Sequence, residues 1–181
     1  MNTSFMRTGS ARKNRLLEEH NHDPYKSRRK LREPSVCPVC KAVFRAGRWQ
    51  WADHYPADSA EEMCQACRRI RDNCPAGVVT LKGGARYAGQ DEMLNLVRNV
   101  EQAEKSEHPL HRVMRIERQA DSLVVTTTDL HLARRLGEAV RAAYKGSLDW
   151  HYNEGACLAQ VNWVPALERE RNHNHRQMQR R

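Results

Sequence analysis

The sequence has few hydrophobic residues and no long apolar run. Of its 181 residues 39% are hydrophobic and 6% aromatic, and its mean hydropathy is -0.87. A membrane-spanning helix needs about 20 consecutive, mainly apolar residues, so we do not expect an integral membrane protein or a membrane partner. The first residues also lack the apolar core of a secretory signal. We therefore expect a cytoplasmic protein.

Common catalytic motifs are missing as well. We find no nucleophile–base pairing and no paired-carboxylate motif, and residues 82–84 lack the rest of a phosphate-binding loop. An enzyme is therefore not expected. Acid–base catalysis by His54, His108 or His111 remains an alternative. Residues 108–111, however, are more typical of a helix end with exposed histidines.

The six cysteines are too unevenly placed for a disulfide scaffold in a chain of this size. Four of them form two Cys-x-x-Cys pairs, Cys37 with Cys40 and Cys64 with Cys67. Each pair can form a knuckle that directs two thiolates at one point, and two knuckles complete a tetrahedral zinc site. Four thiolates also suit an iron–sulfur cluster, which stays open as an alternative. We predict structural zinc as the cofactor.

Two cysteines lie outside the pairs. We expect Cys74 and Cys157 to behave as small buried hydrophobic residues.

The net charge of +9 is concentrated at the two ends of the chain. Residues 1–36 carry nine Lys or Arg against four Asp or Glu, and residues 165–181 carry five against two. Residues 37–164 are nearly balanced, with 17 against 16. Both ends have too few large apolar residues to form a core, so we predict flexible basic arms that bind nucleic acid through its phosphates. Solvated tails that only raise solubility are the alternative.

Arginine and tryptophan side chains interleave around the cysteine pairs. Such side chains stack on bases and contact phosphates in RNA-binding proteins. The alternative is that the aromatic residues form the small core of the zinc module and the arginines cover its surface. We expect at least one of these tryptophans to be core. The predicted RNA-binding residues, which include two at the start of a later helix, are Arg45, Arg48, Trp49, Trp51, Arg68, Arg69, Arg71, Arg134 and Arg135.

Strand and helix patterns alternate in the second half of the chain. β-Branched and alternating runs predict strands at 77–81, 113–118, 123–128, 147–152 and 158–163. Apolar residues at helical spacing predict helices at 91–103 and 130–144. This order, β-α-β-β-α-β with an added C-terminal strand, matches the ferredoxin-like split βαβ layout, with both helices on one face of an antiparallel sheet.

The predicted fold class is therefore α+β. A zinc ribbon-like module is followed by a ferredoxin-like domain, and both are flanked by basic segments. The predicted boundaries are 1–36 for the flexible arm, 37–74 for the four-cysteine zinc module, 75–164 for the ferredoxin-like domain and 165–181 for the basic tail.

Two further segments, together with the cysteine pairs, resemble a known family. They are Thr-Thr-Asp-Leu-His-Leu-Ala-Arg-Arg-Leu-Gly at 127–137 and Ala-Ala-Tyr-Lys-Gly at 142–146. Over about residues 37–164 the chain is similar to the archaeal and eukaryotic large-ribosomal-subunit export adaptors, and to small bacterial relatives with two Cys-x-x-Cys pairs. The resemblance implies zinc on the four paired cysteines and docking on the large subunit and its RNA.

These observations predict a non-enzymatic, zinc-stabilised RNA-binding protein that associates with the ribosome. Assembly, quality control and dormancy are the processes we consider. The alternative is a zinc-ribbon module that binds DNA or another protein to regulate transcription. No helix with base-reading side chains is evident for that alternative.

Overall fold

The computed structural model describes residues 23–27, 29–83, 89–153 and 157–166. Most of the predicted basic arm and tail, residues 1–22 and 167–181, lies outside the described residues. The described part of the chain is α+β and contains three helices and two mixed sheets. None of these helices combines the length and hydropathy of a bilayer-spanning segment.

Four short strands and one helix form the N-terminal module, residues 23–76. The sheet order is β3-β2-β1-β4, and β1 pairs antiparallel with β2 and parallel with β4. The elements are β1 (Ser35–Val36), β2 (Val43–Arg45), β3 (Arg48–Gln50), β4 (Ala60–Glu61) and α1 (Gln65–Asp72).

The segment before β1 packs against this module, although the sequence predicted a flexible arm there. The Asp23 carboxylate accepts a hydrogen bond from Arg69 at 2.6 Å. The Glu33 carboxylate accepts from the backbone N–H groups of Ala46 and Gly47 at 2.7 and 3.2 Å. These two residues have φ angles of 52° and 75° and form the turn between β2 and β3. The folded module therefore begins well before the predicted residue 37.

A five-stranded sheet and two helices form the C-terminal module, residues 77–166. All elements predicted for this part of the sequence are present in the predicted order. The strands are β5 (Gly77–Lys82), β6 (Val113–Arg118), β7 (Ser122–Thr127), β8 (Gly146–Asn153) and β9 (Leu158–Pro165). The helices are α2 (Gly89–Glu107) and α3 (Leu130–Ala143).

The larger sheet is mixed, whereas the sequence predicted an antiparallel one. Its order is β6-β7-β5-β9-β8, and β9 pairs parallel with β5. In the split βαβ layout β8 would lie beside β5, but here the second strand of the β8–β9 hairpin takes that place. The burial pattern gives the reason: Val161 and Trp163 of β9 are fully buried, whereas β8 exposes Asp149 and suits a sheet edge.

Both helices cover one face of this sheet. The shared core contains Val79, Leu81, Met93, Val97, Leu123, Val125, Leu132, Leu136, Val140, Val161 and Trp163. Two glycines allow α3 to approach the strands closely. A Cβ on Gly137 would lie 2.6 Å from Cγ1 of Val161, and a Cβ on Gly77 would lie 2.5 Å from Cβ of Ala133.

The opposite face of the sheet is mainly polar, although Val78, Val124 and Val164 also lie on it. The register pairs Thr80 with Asn162 and Arg115 with Thr126 on this face. Among the described residues of the five strands no aromatic side chain lies there, because Trp150, Tyr152 and Trp163 share the register of the core face. Base stacking on this sheet face is therefore not supported.

Candidate metal centre

The structure brings the four paired cysteines together. The sulfur atoms of Cys37, Cys40, Cys64 and Cys67 all lie within 4.8 Å of one another, and all but Cys40 belong to buried residues. None of the six cysteines forms a disulfide. This four-cysteine cluster can hold a metal ion.

Each cysteine pair lies in a turn that directs its thiols inward. In the first pair the Cys37 N–H donates to the carbonyl of Ala42 at 2.8 Å, and the Lys41 N–H donates to the carbonyl of Cys37 at 2.9 Å. The second pair opens α1: Cys64 is the N-cap, and its Sγ accepts the N–H of Cys67 at 3.5 Å. The positive end of the helix dipole stabilises thiolate charge at this position.

Arg112 of the C-terminal module covers the cluster. Its Nη1 donates to Sγ of Cys67 at 3.3 Å, and its Nη2 donates to Sγ of Cys40 at 3.0 Å and of Cys64 at 3.5 Å. Its Nε donates to the carbonyl of Pro109 at 2.7 Å. Because Arg112 is only 8% exposed, its buried positive charge requires negative charge nearby, which thiolates supply.

The thiols also control each other's ionisation. A hydrogen bond with Cys64, at a sulfur–sulfur distance of 3.6 Å, lowers the pKa of Cys40 to about 4, and the charge of Arg112 acts in the same direction. The same contact and burial raise the pKa of Cys64. Burial lowers the pKa of Arg112, but its contacts with the sulfurs outweigh this effect and raise it. Arg112 therefore stabilises negative charge on the cluster.

The cluster lies where the two modules meet. The Arg112 N–H donates to Oγ1 of Thr128 at 3.0 Å, and this hydroxyl donates to the carbonyl of Leu110 at 2.6 Å. Leu110 packs against the core formed around the cysteines. A second contact joins the modules where Nε1 of Trp51 donates to the carbonyl of Lys105 at 2.6 Å.

A basic cleft of about 700 Å³ also lies between the modules. Its walls are residues 26–27, 29–31 and 33, the β2–β3 hairpin and residues 107–111. Arg29, Lys30 and Arg48 line it, and none of the three forms an ion pair with another described residue. With Lys26 the lining holds four cations against two carboxylates, Glu33 and Glu107, so the cleft carries a net positive charge.

The four RNA-binding candidates between the cysteine pairs divide into surface and core. Arg45 and Arg48 are exposed on the β2–β3 hairpin. Trp49 is 8% exposed and packs against Phe44 with ring centroids 5.5 Å apart, so it is the expected core tryptophan. Trp51 remains 38% exposed beside the cleft residue Gln50.

The three candidate arginines of α1 are engaged within their own module. Arg69 is 3% exposed, donates to Asp23 and lies over the ring of Tyr25 at 4.4 Å, so in this structure it has no surface to offer RNA. The other two form ion pairs, Arg68 with Glu62 and Arg71 with Asp72.

The two candidates on α3 are also paired. Arg134 donates to Glu138 at 2.8 Å and Arg135 to Glu104 at 2.9 Å. The neighbouring hydroxyls of Thr127 and Thr128 are buried and donate to backbone carbonyls. At the start of α3 the Nε groups of both arginines and the two threonine hydroxyls are therefore already engaged within the protein.

Sequence reasoning missed Arg112 and misjudged several neighbours. Nothing local identifies Arg112, because the cysteines that it contacts are 45 to 72 positions away. α2 ends before an exposed His108 as expected, but the side chain of His111 is only 17% exposed. Cys74 and Cys157 are half-buried and not fully buried.

No protein-family model, curated protein or solved structure matches the chain. Its class is therefore defined by fold and site alone. It is an α+β protein in which a four-cysteine cluster lies at the junction of two modules, beside a basic cleft.

Proposed function

We propose that this chain is a zinc-stabilised, non-enzymatic RNA-binding protein that associates with the large ribosomal subunit. Assembly, quality control and dormancy are the processes in which it would act. The basic cleft between the modules carries the proposal, and the four-cysteine cluster explains how the walls of the cleft are held.

Zinc suits the donor set of the cluster. A Zn–S bond of about 2.3 Å places two sulfurs of a tetrahedral site about 3.8 Å apart. The sulfurs of Cys40 and Cys64 are 3.6 Å apart before any ion is included. Four thiolates leave no open coordination position, so such a zinc is structural. A zinc ion with four thiolates has a net charge of about −2, which Arg112 partly balances. The same arginine side chain fixes residues 109–112 against the N-terminal module.

RNA is the ligand that fits the cleft best. Three cations without local ion pairs, Arg29, Lys30 and Arg48, surround a concave surface that can follow a phosphate backbone. Trp51 follows the cleft residue Gln50 in the chain, and its exposed indole provides a face on which a base can stack. Sequence-specific DNA binding has less support, because the arginines of α1 are already paired or buried.

Titration of a labelled single-stranded RNA against the full-length protein tests this proposal. Arg48→Ala and Lys30→Ala should each weaken binding, and each should lower the salt dependence by about one unit of slope for every phosphate that is no longer neutralised. Arg98→Ala, on the exposed surface of α2 and outside the cleft, is the matched control. Equal affinities for all three variants and the parent protein would disprove the cleft as the RNA site.

Ribosome association needs a separate experiment. Sedimentation of a tagged full-length protein through a sucrose gradient at low salt should place it with the large subunit, and Arg48→Ala should shift it towards the top. Protein that stays in the ribosome-free fractions would contradict this part of the proposal. Recovery of crosslinked DNA in place of ribosomal RNA would support the transcriptional alternative.

A further inference from the structure

A second cluster of metal-ligating side chains lies in the chain just before Arg112, at the end of α2 and in the residues that follow it. Glu104 of α2 and two histidines that follow the helix, His108 and His111, place one ligand atom each within 4.8 Å of one another. Backbone hydrogen bonds hold this arrangement, since the His108 N–H donates to the carbonyl of Glu104 and the His111 N–H to that of His108. We propose that these three side chains form a second metal site, selective for a borderline divalent ion such as Zn²⁺.

The distance between two of the ligands already suits a metal. Nδ1 of His111 and Oε2 of Glu104 are 3.1 Å apart. Zinc ligands at about 2.0–2.1 Å in a tetrahedral site would be roughly 3.3 Å apart, so an ion can replace the shared proton with little movement. Two imidazoles and one carboxylate favour zinc and its neighbours over magnesium or calcium, which prefer oxygen ligands throughout.

The groups around the ligands are arranged as in a built metal site. Metal-binding histidines usually donate their second ring N–H to a carboxylate, which fixes the orientation of the ring. Nε2 of His111 lies 3.4 Å from Oδ1 of Asp129, the N-cap of α3. Nε of Arg135 binds Oε1 of Glu104 at 2.9 Å, which leaves Oε2 for the ion. Arg135 therefore holds Glu104 from behind through a hydrogen bond, and the Asp129 carboxylate lies close to the second ring nitrogen of His111.

Three protein ligands leave a fourth coordination position. His108 and His111 both line the basic cleft, so this position has access to solvent through the cleft. The site differs in this respect from the four-cysteine cluster, which is closed. The proposal stands on the geometry of the second cluster and does not depend on RNA binding.

Cobalt binding to untagged, full-length protein with one equivalent of zinc tests the proposal. The four-cysteine cluster then retains zinc, and added Co²⁺ should produce visible d–d absorption without thiolate-to-cobalt charge transfer. His108→Ala should weaken this binding at least about tenfold, and Glu104→Gln, which keeps an acceptor for Arg135, should do the same. His54→Ala, which removes an exposed histidine elsewhere, should have no effect.

Either of two results would overturn the second site. One is that the zinc-loaded parent protein binds Co²⁺ no more tightly than His108→Ala and Glu104→Gln do. The other is thiolate charge-transfer absorption accounting for all bound cobalt. Circular dichroism of each variant establishes that weaker binding does not result from unfolding.

Discussion

Nη2 of Arg112 lies 3.0 Å from Sγ of Cys40, although the two residues are 72 positions apart in the chain. The contact joins the C-terminal module to the four-cysteine cluster of the N-terminal one. Because it pairs a buried guanidinium with sulfur, its strength depends on the sulfurs being thiolates. A metal ion held by the cluster would therefore also favour the association of the two modules.

Arg112→Met should destabilise the zinc-loaded protein by about 3 kcal/mol, because it leaves buried thiolate charge without its hydrogen-bond donors. Guanidinium denaturation of the zinc-loaded protein measures the change, and zinc transfer to a chelator should become faster. Arg141→Met, at an exposed position of α3, serves as the control. Unchanged stability and zinc transfer in Arg112→Met would mean that the guanidinium contributes nothing to the cluster.

Cys64→Ser should remove the metal of the four-cysteine cluster and unfold the N-terminal module. The side chain is both a metal ligand and the N-cap of α1, and because serine also caps helices, the substitution removes the thiolate ligand while keeping a capping side chain. Metal analysis should show one zinc fewer per chain, while proteolysis leaves the C-terminal module intact because it has its own core. Cys74→Ser should keep its zinc, and a Cys64→Ser protein that also kept it would refute the assignment of ligands.

Tyr25 should make the stability of the N-terminal module sensitive to alkaline pH. Partial burial, together with the neighbouring Cys74 and Asp72 side chains, raises the pKa of Tyr25 to about 12. The raised pKa favours the neutral phenol in the folded state. The stability that the neutral Tyr25 phenol contributes to the folded state is therefore present below the ordinary pKa of about 10 and is lost as the pH rises towards 12.

Denaturation of the parent protein and Tyr25→Phe at several pH values measures this effect. The difference in unfolding free energy between them should shrink between about pH 10 and pH 12. Tyr55→Phe controls for the removal of an exposed tyrosine hydroxyl. A difference that stayed constant with pH would exclude a titrating role for Tyr25.

Removal of residues 1–22 and 167–181 should weaken RNA binding without changing the fold. These segments carry nine Lys or Arg against four Asp or Glu. The salt dependence of binding should fall by about one unit of slope for each phosphate that the segments neutralise. A full-length variant with glutamine at these nine positions separates charge from length and should behave like the truncated protein. An unchanged salt slope in both would show that the two segments do not bind phosphates.

Local sequence patterns account for most of the fold. Alternating and helical spacing of apolar residues identifies each element of the C-terminal module, because those residues face a single core. The same patterns do not identify the parallel pairing of β5 with β9, since β8 and β9 compete for the same place in the sheet and the outcome depends on which strand is buried. The predicted arm boundary is also wrong, because Asp23 and Glu33 are held by distant partners.

For the candidate sites, too, local sequence patterns identify some residues, whereas others depend on contacts between distant parts of the chain. Cys-x-x-Cys spacing is a local signal and is sufficient to find four metal-ligand candidates. Arg112 gives no such signal. The arginines of α1 suggest a basic surface because a count of charged residues does not show which acidic side chains pair with them. Glu104 and His111 are seven positions apart, but their relation to Asp129 and Arg135 arises only when α3 packs beside α2.

The small size of Gly77 and Gly137 has a consequence outside the core. These glycines set how far α3 stands from the sheet, and Asp129 and Arg135 both belong to the first turns of that helix and its cap. A methyl group at either glycine would lift the helix and move those two side chains away from His111 and Glu104. Substitutions deep in the C-terminal module would thus alter metal affinity at the cleft without touching a ligand.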